Sequence, residues 1–310
     1  MTGVPPSPAG NDPAETARLL RNASRASVAV ATALIVIKIV GYGATDSVSL
    51  LSSLLDSLLD LAASVLNMIA IRHALVPADR EHRFGHGKAE PLAGLGQAAF
   101  ITGSAVLLLL EAGRRLIAPQ PVSHVGLGIG VIVASLAATI ALVAYQRHVV
   151  RRTGSVAIGA DSLHYRGDIL MNGTVIASLA LSEIVHTPYL DPLCGAAIAA
   201  YILWNAWQIL AMSVTQLMDR ELPDDDRRRI RTIALSPPEV HAVHDLRTRS
   251  AGPQTFIQLH LEMDGELTLR RAHEIADGVE AEIRAAYPSA EVIIHQDPEG
   301  VEEPSGTAAS

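Results

Sequence analysis

The chain is short of cysteine, of aromatic residues and of charge, and the first and last of these shortages narrow what it can be. One cysteine in 310 residues, Cys194, excludes an intrachain disulfide framework and any Cys-rich zinc module. Charged residues make up 18% of the chain, against roughly 25% in ordinary soluble domains, while 49% are hydrophobic. That balance excludes an intrinsically disordered chain and argues against a purely soluble enzyme. Basic surplus is also missing: 24 Lys and Arg against 32 Asp and Glu give a formal charge of −8. Nucleic acid wants a basic face, so it is not expected as a partner. Aromatic residues, at 4%, add little to either argument.

The charge that is present is unevenly placed. Residues 1–218 hold 13 acids and 14 bases, and residues 219–310 hold 19 acids and 10 bases, so the two parts sum to +1 and −9. Upstream of Asp219 the sequence runs through six long apolar stretches, 24–44, 48–71, 92–117, 125–145, 156–181 and 193–214. Each is about 20 residues or longer, enough at about 1.5 Å per residue to cross a hydrocarbon core of about 30 Å. Six transmembrane helices are therefore predicted. Arg18, Arg21 and Arg25, then Arg72, Arg80, Arg83 and Lys88, then Arg147, Arg151 and Arg152 flank alternate ends of these spans, which puts both termini in the cytoplasm. Arg114 and Arg115 lie near the opposite end of the third span and are read as snorkelling to the interface. Residues 1–22, with prolines at 5, 6, 8 and 13, read as a disordered lead.

Ionisable residues inside such spans are expensive. "SLLDSLLDLAASVLN" places Asp56 and Asp60 on one face of the second span, and "ADSLHYRGDILMNG" places His164 and Asp168 on one face of the fifth. An Asp at the bilayer centre costs about 2.5–3.5 kcal/mol unless a partner, water or a cation compensates it. Three carboxylates and one imidazole form a natural tetrahedral donor set for zinc. Arg166 lies about 200° around the helix from His164 and is expected to pair elsewhere or to reach a water-filled cavity. In the loop after the second span, "PADREHRFGHGKAE" gathers Asp79, His82 and His86 within eight residues. After the sixth span, "DDDRRRIRTIALS" suggests a helix, followed by two strands, an amphipathic helix and a last strand, "AEVIIHQDP". That order suggests a small α+β ferredoxin-like domain. His244, His260 and His295 fall on its strands and His273 on its long helix, with Asp297 on the same strand face as His295.

With these motifs in view, the sequence resembles the cation diffusion facilitator family, in particular its bacterial zinc- and ferrous-iron-efflux members. The resemblance runs from about Ala23 to Pro298 and is most specific in "HRFGHGKAEPLAGL", "ADSLHYRGD", "DRELPD", "HDLRTRSAG" and "VIIHQDP". It implies a homodimeric metal/proton antiporter of the inner membrane, with Asp56, Asp60, His164 and Asp168 as the transport site. His164 tilts the substrate toward zinc and cadmium, with ferrous iron and cobalt as further candidates. The resemblance also implies a second metal site at Asp79, His82 and His86. A further one, for paired zinc ions, is implied in the cytoplasmic domain at His244, His260, His273, His295 and Asp297. Lys88 and Asp219 match a charge pair that locks the inner helix ends across the dimer. His73, His124, His148, His186 and His241 carry no assignment. The expected organisation is a lead over 1–22, a six-helix domain over 23–218, a dimerisation and metal-binding domain over 219–298 and a disordered tail over 299–310.

Three carboxylates with a neutral imidazole carry about three negative charges, and one divalent zinc leaves the site near −1. Metal and protons compete for the same groups, which is the physical basis of antiport. There is no Gly-x-x-x-x-Gly-Lys-Ser/Thr phosphate loop, so the proton gradient is the expected energy source and no organic cofactor is expected. Two rival classes are a membrane-tethered zinc sensor and an intramembrane metal-dependent hydrolase. The hydrolase is weakened by the lack of a His-Glu-x-x-His motif.

Overall fold

The apolar stretches fold as helices because they offer the backbone no polar alternative and present long continuous apolar faces. The computed structural model describes residues 12–45, 48–117, 129–182 and 190–300. Among them, six long helices come first: α1 (Pro13–Thr45), α2 (Val48–Ala74), α3 (Ala89–Ile117), α4 (Ile129–Thr153), α5 (Val156–Ser182) and α6 (Leu190–Leu217). By length and composition α1, α3, α4 and α6 suit a membrane crossing. Residues 13–22, expected to belong to a disordered lead, are helical. Asp12 accepts the Ala14 N–H at 2.9 Å and Pro13 opens α1, the residue types that favour a helix start. Leu20 and Ala23 are then buried against Ile71, Val149 and Ile158. Residues 1–11 and 301–310 lie outside the described residues.

The helices are tied together by one carboxylate. Asp161 of α5 is fully buried. Its Oδ2 accepts from Ser27 Oγ of α1 at 2.6 Å and from Gln146 Nε2 of α4 at 2.7 Å. Its Oδ1 accepts from Gln97 Nε2 of α3 at 3.2 Å and, at a longer 3.5 Å, from Ser64 Oγ of α2. Ser64 also shares a 2.9 Å bond with the Tyr165 hydroxyl. Each of four helices thus sends a neutral polar group to the fifth. A buried carboxylate is tolerable when its lone pairs are satisfied in this way. The start of α5 is held separately. Glu90, buried in the first turn of α3, accepts from the Ser155 hydroxyl and from the N–H groups of Val156 and Ala157, so its carboxyl caps the start of α5.

The tail begins where Asp219, at φ 55°, turns the chain out of α6. It comprises α7 (Asp224–Ala234), β1 (Val240–Ala251), β2 (Gln254–Met263), α8 (Leu269–Ala286) and β3 (Ala290–Pro298). The strands form one sheet in the order β1-β2-β3, with β1 antiparallel and β3 parallel to β2. Val243, Ile257, Leu259, Leu261 and Val292 face Ile230 of α7 and Ile275, Val279 and Ile283 of α8 in one core. Period-two alternation sends Phe256 and His260 to the opposite face.

That opposite face meets the helical domain. Phe84 stacks edge-on against Phe256 at 5.8 Å, and the Arg249 guanidinium covers both rings. The turn between β1 and β2 fits against the loop before α3 with no room for a side chain: a Cβ on Gly87 would lie 2.0 Å from the Ala251 carbonyl oxygen. Gly252, at φ +59°, is equally constrained, 2.7 Å from the Gly87 oxygen by the same measure. Lys88 reaches Asp219 at 3.0 Å within the same chain, and Arg249 joins the pair at 3.2 Å. The resemblance implies this pair across a dimer; here it closes inside one protomer, because the turn at Asp219 brings the end of α6 beside the start of α3.

Two predictions follow from this architecture. Asp161→Asn replaces two acceptor positions by donors facing donors, at about 1–3 kcal/mol for each buried group left unpaired. Thermal unfolding of the detergent-solubilised variant should show a loss of about 2–4 kcal/mol; an unshifted melting curve would remove Asp161 as the fastener. Around Asp219, burial disfavours charge, but Lys88 and Arg249 outweigh it and hold the carboxyl below its ordinary range. Its contribution is therefore full above about pH 4, the unfolded value, and disappears as pH falls through the lower folded value. The pair is half-exposed, so Asp219→Asn should cost only about 0.5–1 kcal/mol at pH 7. Proteolytic release of the tail should accelerate accordingly, and the difference between variant and parent should vanish in strong acid.

Candidate functional site

Helix periodicity puts Asp60 on α2 and both His164 and Asp168 on α5 where the two helices face one another. One ligand atom from each lies within 4.8 Å of the others. His164 Nε2 is 2.8 Å from Asp60 Oδ1. Phe100 of α3 stands edge-on to the imidazole at 5.9 Å, giving the ring a wall. The three donors open onto a 440 Å³ cavity lined also by Ser104, Glu111, Met171 and Ile202. Asp56 is part of α2, one turn from Asp60, but its side chain lies outside the described residues. The grouped set is thus two carboxylates and one imidazole, hard oxygen with borderline nitrogen, which suits zinc-class divalent cations. Arg166 turns away from this site, as expected, and bonds the Tyr201 hydroxyl on α6.

The loop between α2 and α3 folds its three sequence-predicted donors together. His86 Nε2 is 3.1 Å from His82 Nδ1 and 3.4 Å from Asp79 Oδ2, and His82 Nδ1 is 3.5 Å from Asp79 Oδ1. Donors around a tetrahedral zinc at about 2.0–2.1 Å stand roughly 3.3 Å apart, so the spacing fits. The His86 Nδ1–H is directed at the Val76 carbonyl at 3.4 Å, which leaves Nε2 facing the other two. The His82 and Glu81 N–H groups, with the neighbouring imidazoles of His86 and His82, hold the Asp79 carboxyl below its usual range. It is therefore ionised and ready for a cation near neutral pH.

In the tail, strand register does the assembly. His244 pairs with His260 across β1 and β2, and His260 with His295 across β2 and β3, on the face opposite α7 and α8. Asp297 Oδ2 meets His260 Nδ1 at 2.8 Å and His244 Nε2 at 3.3 Å, while its Oδ1 meets His295 Nε2 at 3.0 Å. A buried carboxylate with nitrogen donors on both oxygens suits a shared ligand between two zinc ions. His273 does not join them within one chain. It is exposed on α8, whose packed face covers the other side of the sheet, and it lies 3.5 Å from Asp277. His241 bonds Glu299 at 3.0 Å.

Two contributors escaped the sequence reading. Asp161 lies three residues before His164 on the same stripe of α5, and that spacing was the available signal. Asp245 adopts φ 47° at a bulge in β1, which carries its carboxylate to 3.8 Å from His260 Nε2. Nothing local marks that bulge.

Residues 24–218 match the family model "Cation efflux transmembrane domain", and residues 222–299 match "Cation efflux protein, cytoplasmic domain". The cation-efflux pump FieF of Shewanella oneidensis is 50% identical over 280 residues, 90% of this chain and 94% of that one. Its namesake from Serratia proteamaculans is 49% identical over 282 residues, 91% and 94% of the two chains. Among solved structures, the metal-bound C-terminal domain of the CzcD transporter from Thermotoga maritima is 31% identical, covers 26% of this chain and 93% of that one, and has a TM-score of 0.25. Two consecutive domain models and relatives of near-equal length show that this chain, an integral membrane protein, belongs to the cation-efflux family, the cation diffusion facilitators.

Proposed function

We propose that the protein exports Zn²⁺ from the cytoplasm in exchange for protons, through the site formed by Asp56, Asp60, His164 and Asp168. The observation that carries this reading is the convergence of Asp60, His164 and Asp168 on one cavity between helices of a cation-efflux membrane domain. A mixed carboxylate and imidazole set favours zinc over the hard cations that prefer oxygen alone. Without metal the clustered carboxylates repel one another, and protons relieve that repulsion, so each face of the membrane exchanges one cation for the other. The names of the relatives, cation-efflux pumps, support the direction of transport.

In this reading α1 to α6 all span the inner membrane with both termini cytoplasmic. The domain limits are those expected from the sequence, 23–218 and 219–298. The sheet order and the parallel crossover through α8 support a ferredoxin-like tail. The tail pairs two protomers and holds resident zinc at His244, His260, His295 and Asp297. His273 reaches the same cluster from a second copy, since α8 keeps it away from its own. Zinc bound there adds its affinity to dimer association.

Reconstituted in proteoliposomes, the parent should carry zinc out of the compartment facing its tail, faster when protons are plentiful on the other side. Asp60→Ala and His164→Ala should each reduce zinc flux at least about 100-fold, since one donor of a tight set is lost. Parent-like flux in either variant would refute the assignment, and flux indifferent to an imposed pH gradient would refute antiport. For the tail, Asp297→Ala should abolish zinc-dependent strengthening of the dimer in analytical ultracentrifugation; dimerisation unaffected by zinc in the parent would count against the resident ions.

A further inference from the structure

His73 received no role from the sequence, yet it stands beside the loop cluster. It occupies the last turn of α2 and is exposed; its carbonyl accepts the Val76 N–H at 3.0 Å, while its side chain makes no hydrogen bond or ion pair among the described residues. Its ring lies 4.6 Å from that of His86, centroid to centroid, with the planes 64° apart. His82 and His86, both donors of the cluster, are separated by 4.5 Å. The His260–His295 pair around Asp297 stands at 4.6 Å. Two imidazoles sharing one tetrahedral ion, each nitrogen about 2.0–2.1 Å from it, bring their ring centres to roughly 5 Å. His73 and His86 are thus spaced like the ring pairs within the loop cluster and the tail cluster.

Asp79, His82 and His86 offer three donors within 4.8 Å of one another. A closed structural zinc site takes four protein ligands, whereas three leave a position for water or exchange. We propose that His73 is the fourth ligand of the loop site, which then holds a zinc-class divalent cation in a closed tetrahedral set of three imidazoles and one carboxylate. This rests on reading Asp79, His82 and His86 as metal ligands. The His73 ring has to turn toward the other donors, and its exposure at the helix end leaves it free to do so. The ion would then fasten the cytoplasmic end of α2, the helix that carries Asp60, to the loop whose far side is pressed against the β1–β2 turn at Gly87 and Ala251. Metal at the loop would restrict how α2 moves against the tail, which an open three-ligand site cannot do.

Cobalt(II) titration of the full-length protein in detergent tests this, in a background carrying Asp60→Asn, His164→Asn and Asp297→Asn to silence the other clusters. The background chain should bind one cobalt with the intense visible bands of tetrahedral coordination. His73→Phe keeps the ring and removes the nitrogens. It should weaken binding by about tenfold or more, the least that loss of a supporting ligand costs, and should dim the bands. Thermal unfolding without metal should match the background, and His73→Glu should restore most of the affinity. His82→Ala reports on the underlying site and should abolish binding. If His82→Ala abolishes binding while His73→Phe leaves affinity and spectrum unchanged, His73 is not a ligand and the site has three. If His82→Ala also binds like the background, the loop-site reading itself falls, and the proposal with it.

Discussion

The bonds to the Asp161 carboxylate are the constraint on which the helical domain depends. Apolar helices in a membrane gain little from the hydrophobic effect when they pack together, because lipid tails are as apolar as leucine. Something directional must fix their rotation and depth. Ser27, Ser64, Gln97 and Gln146 each bring one donor from a different helix to the two oxygens of Asp161. Satisfying all of them together sets the rotation of α1, α2, α3 and α4 around α5. The face of α5 that this selects also carries His164 and Asp168, one and two turns further along. The same face of α2 that offers Ser64 carries Asp60 one turn earlier. Positioning of the candidate transport site is therefore a consequence of the helix fastening.

The tail solves a different problem with the same residue types. Its core is an ordinary two-layer arrangement, with Ile257, Leu259 and Leu261 packed under α7 and α8. Burying one face leaves the other to be polar, and the register places His244, His260 and His295 side by side on it. Imidazoles in a row have no mutual attraction beyond ring contact. The low-lying Asp297 carboxylate provides the negative charge that draws them, or a cation, together. The acidic surplus of the tail, −9 over residues 219–310, extends that attraction outward to divalent ions in the surrounding solution.

What was legible in the sequence follows from how local each signal is. The helices and strands were readable because apolar periodicity acts over a few residues, and the stripes pairing His164 with Asp168 or His295 with Asp297 are fixed by one turn or one strand repeat. Asp79, His82 and His86 were readable for the same reason. The role of Asp161 was not, because its partners are neutral side chains 15 to 134 residues away with no shared local pattern. The capping of α5 by Glu90 was hidden similarly, since it is a contact between the starts of two helices. The place of His273 depended on which face of the sheet α8 would cover. The early start of α1 is the instructive miss: prolines near the terminus suggested disorder, but Asp12 and Pro13 are also the residues that start a helix.

Asp161 and Asp168 lie two turns apart on one helix and are chemically identical, yet they support opposite uses. A carboxylate whose lone pairs all receive protein donors, in a place no solvent reaches, has nothing left to offer a cation; binding one would require breaking those bonds without replacement. Asp168 instead opens on a cavity with Asp60 and His164, where the groups that converge are themselves acceptors or titratable. Their mutual repulsion makes an incoming divalent cation, or protons, the favourable way to neutralise the cavity. The distinction between scaffold and candidate site is thus set by the partners: donors converging on an acid make a fastener, and acids converging with an imidazole make a candidate cation site. The loop and tail groups likewise bring carboxylates together with imidazoles, which makes each a candidate cation site on the same ground.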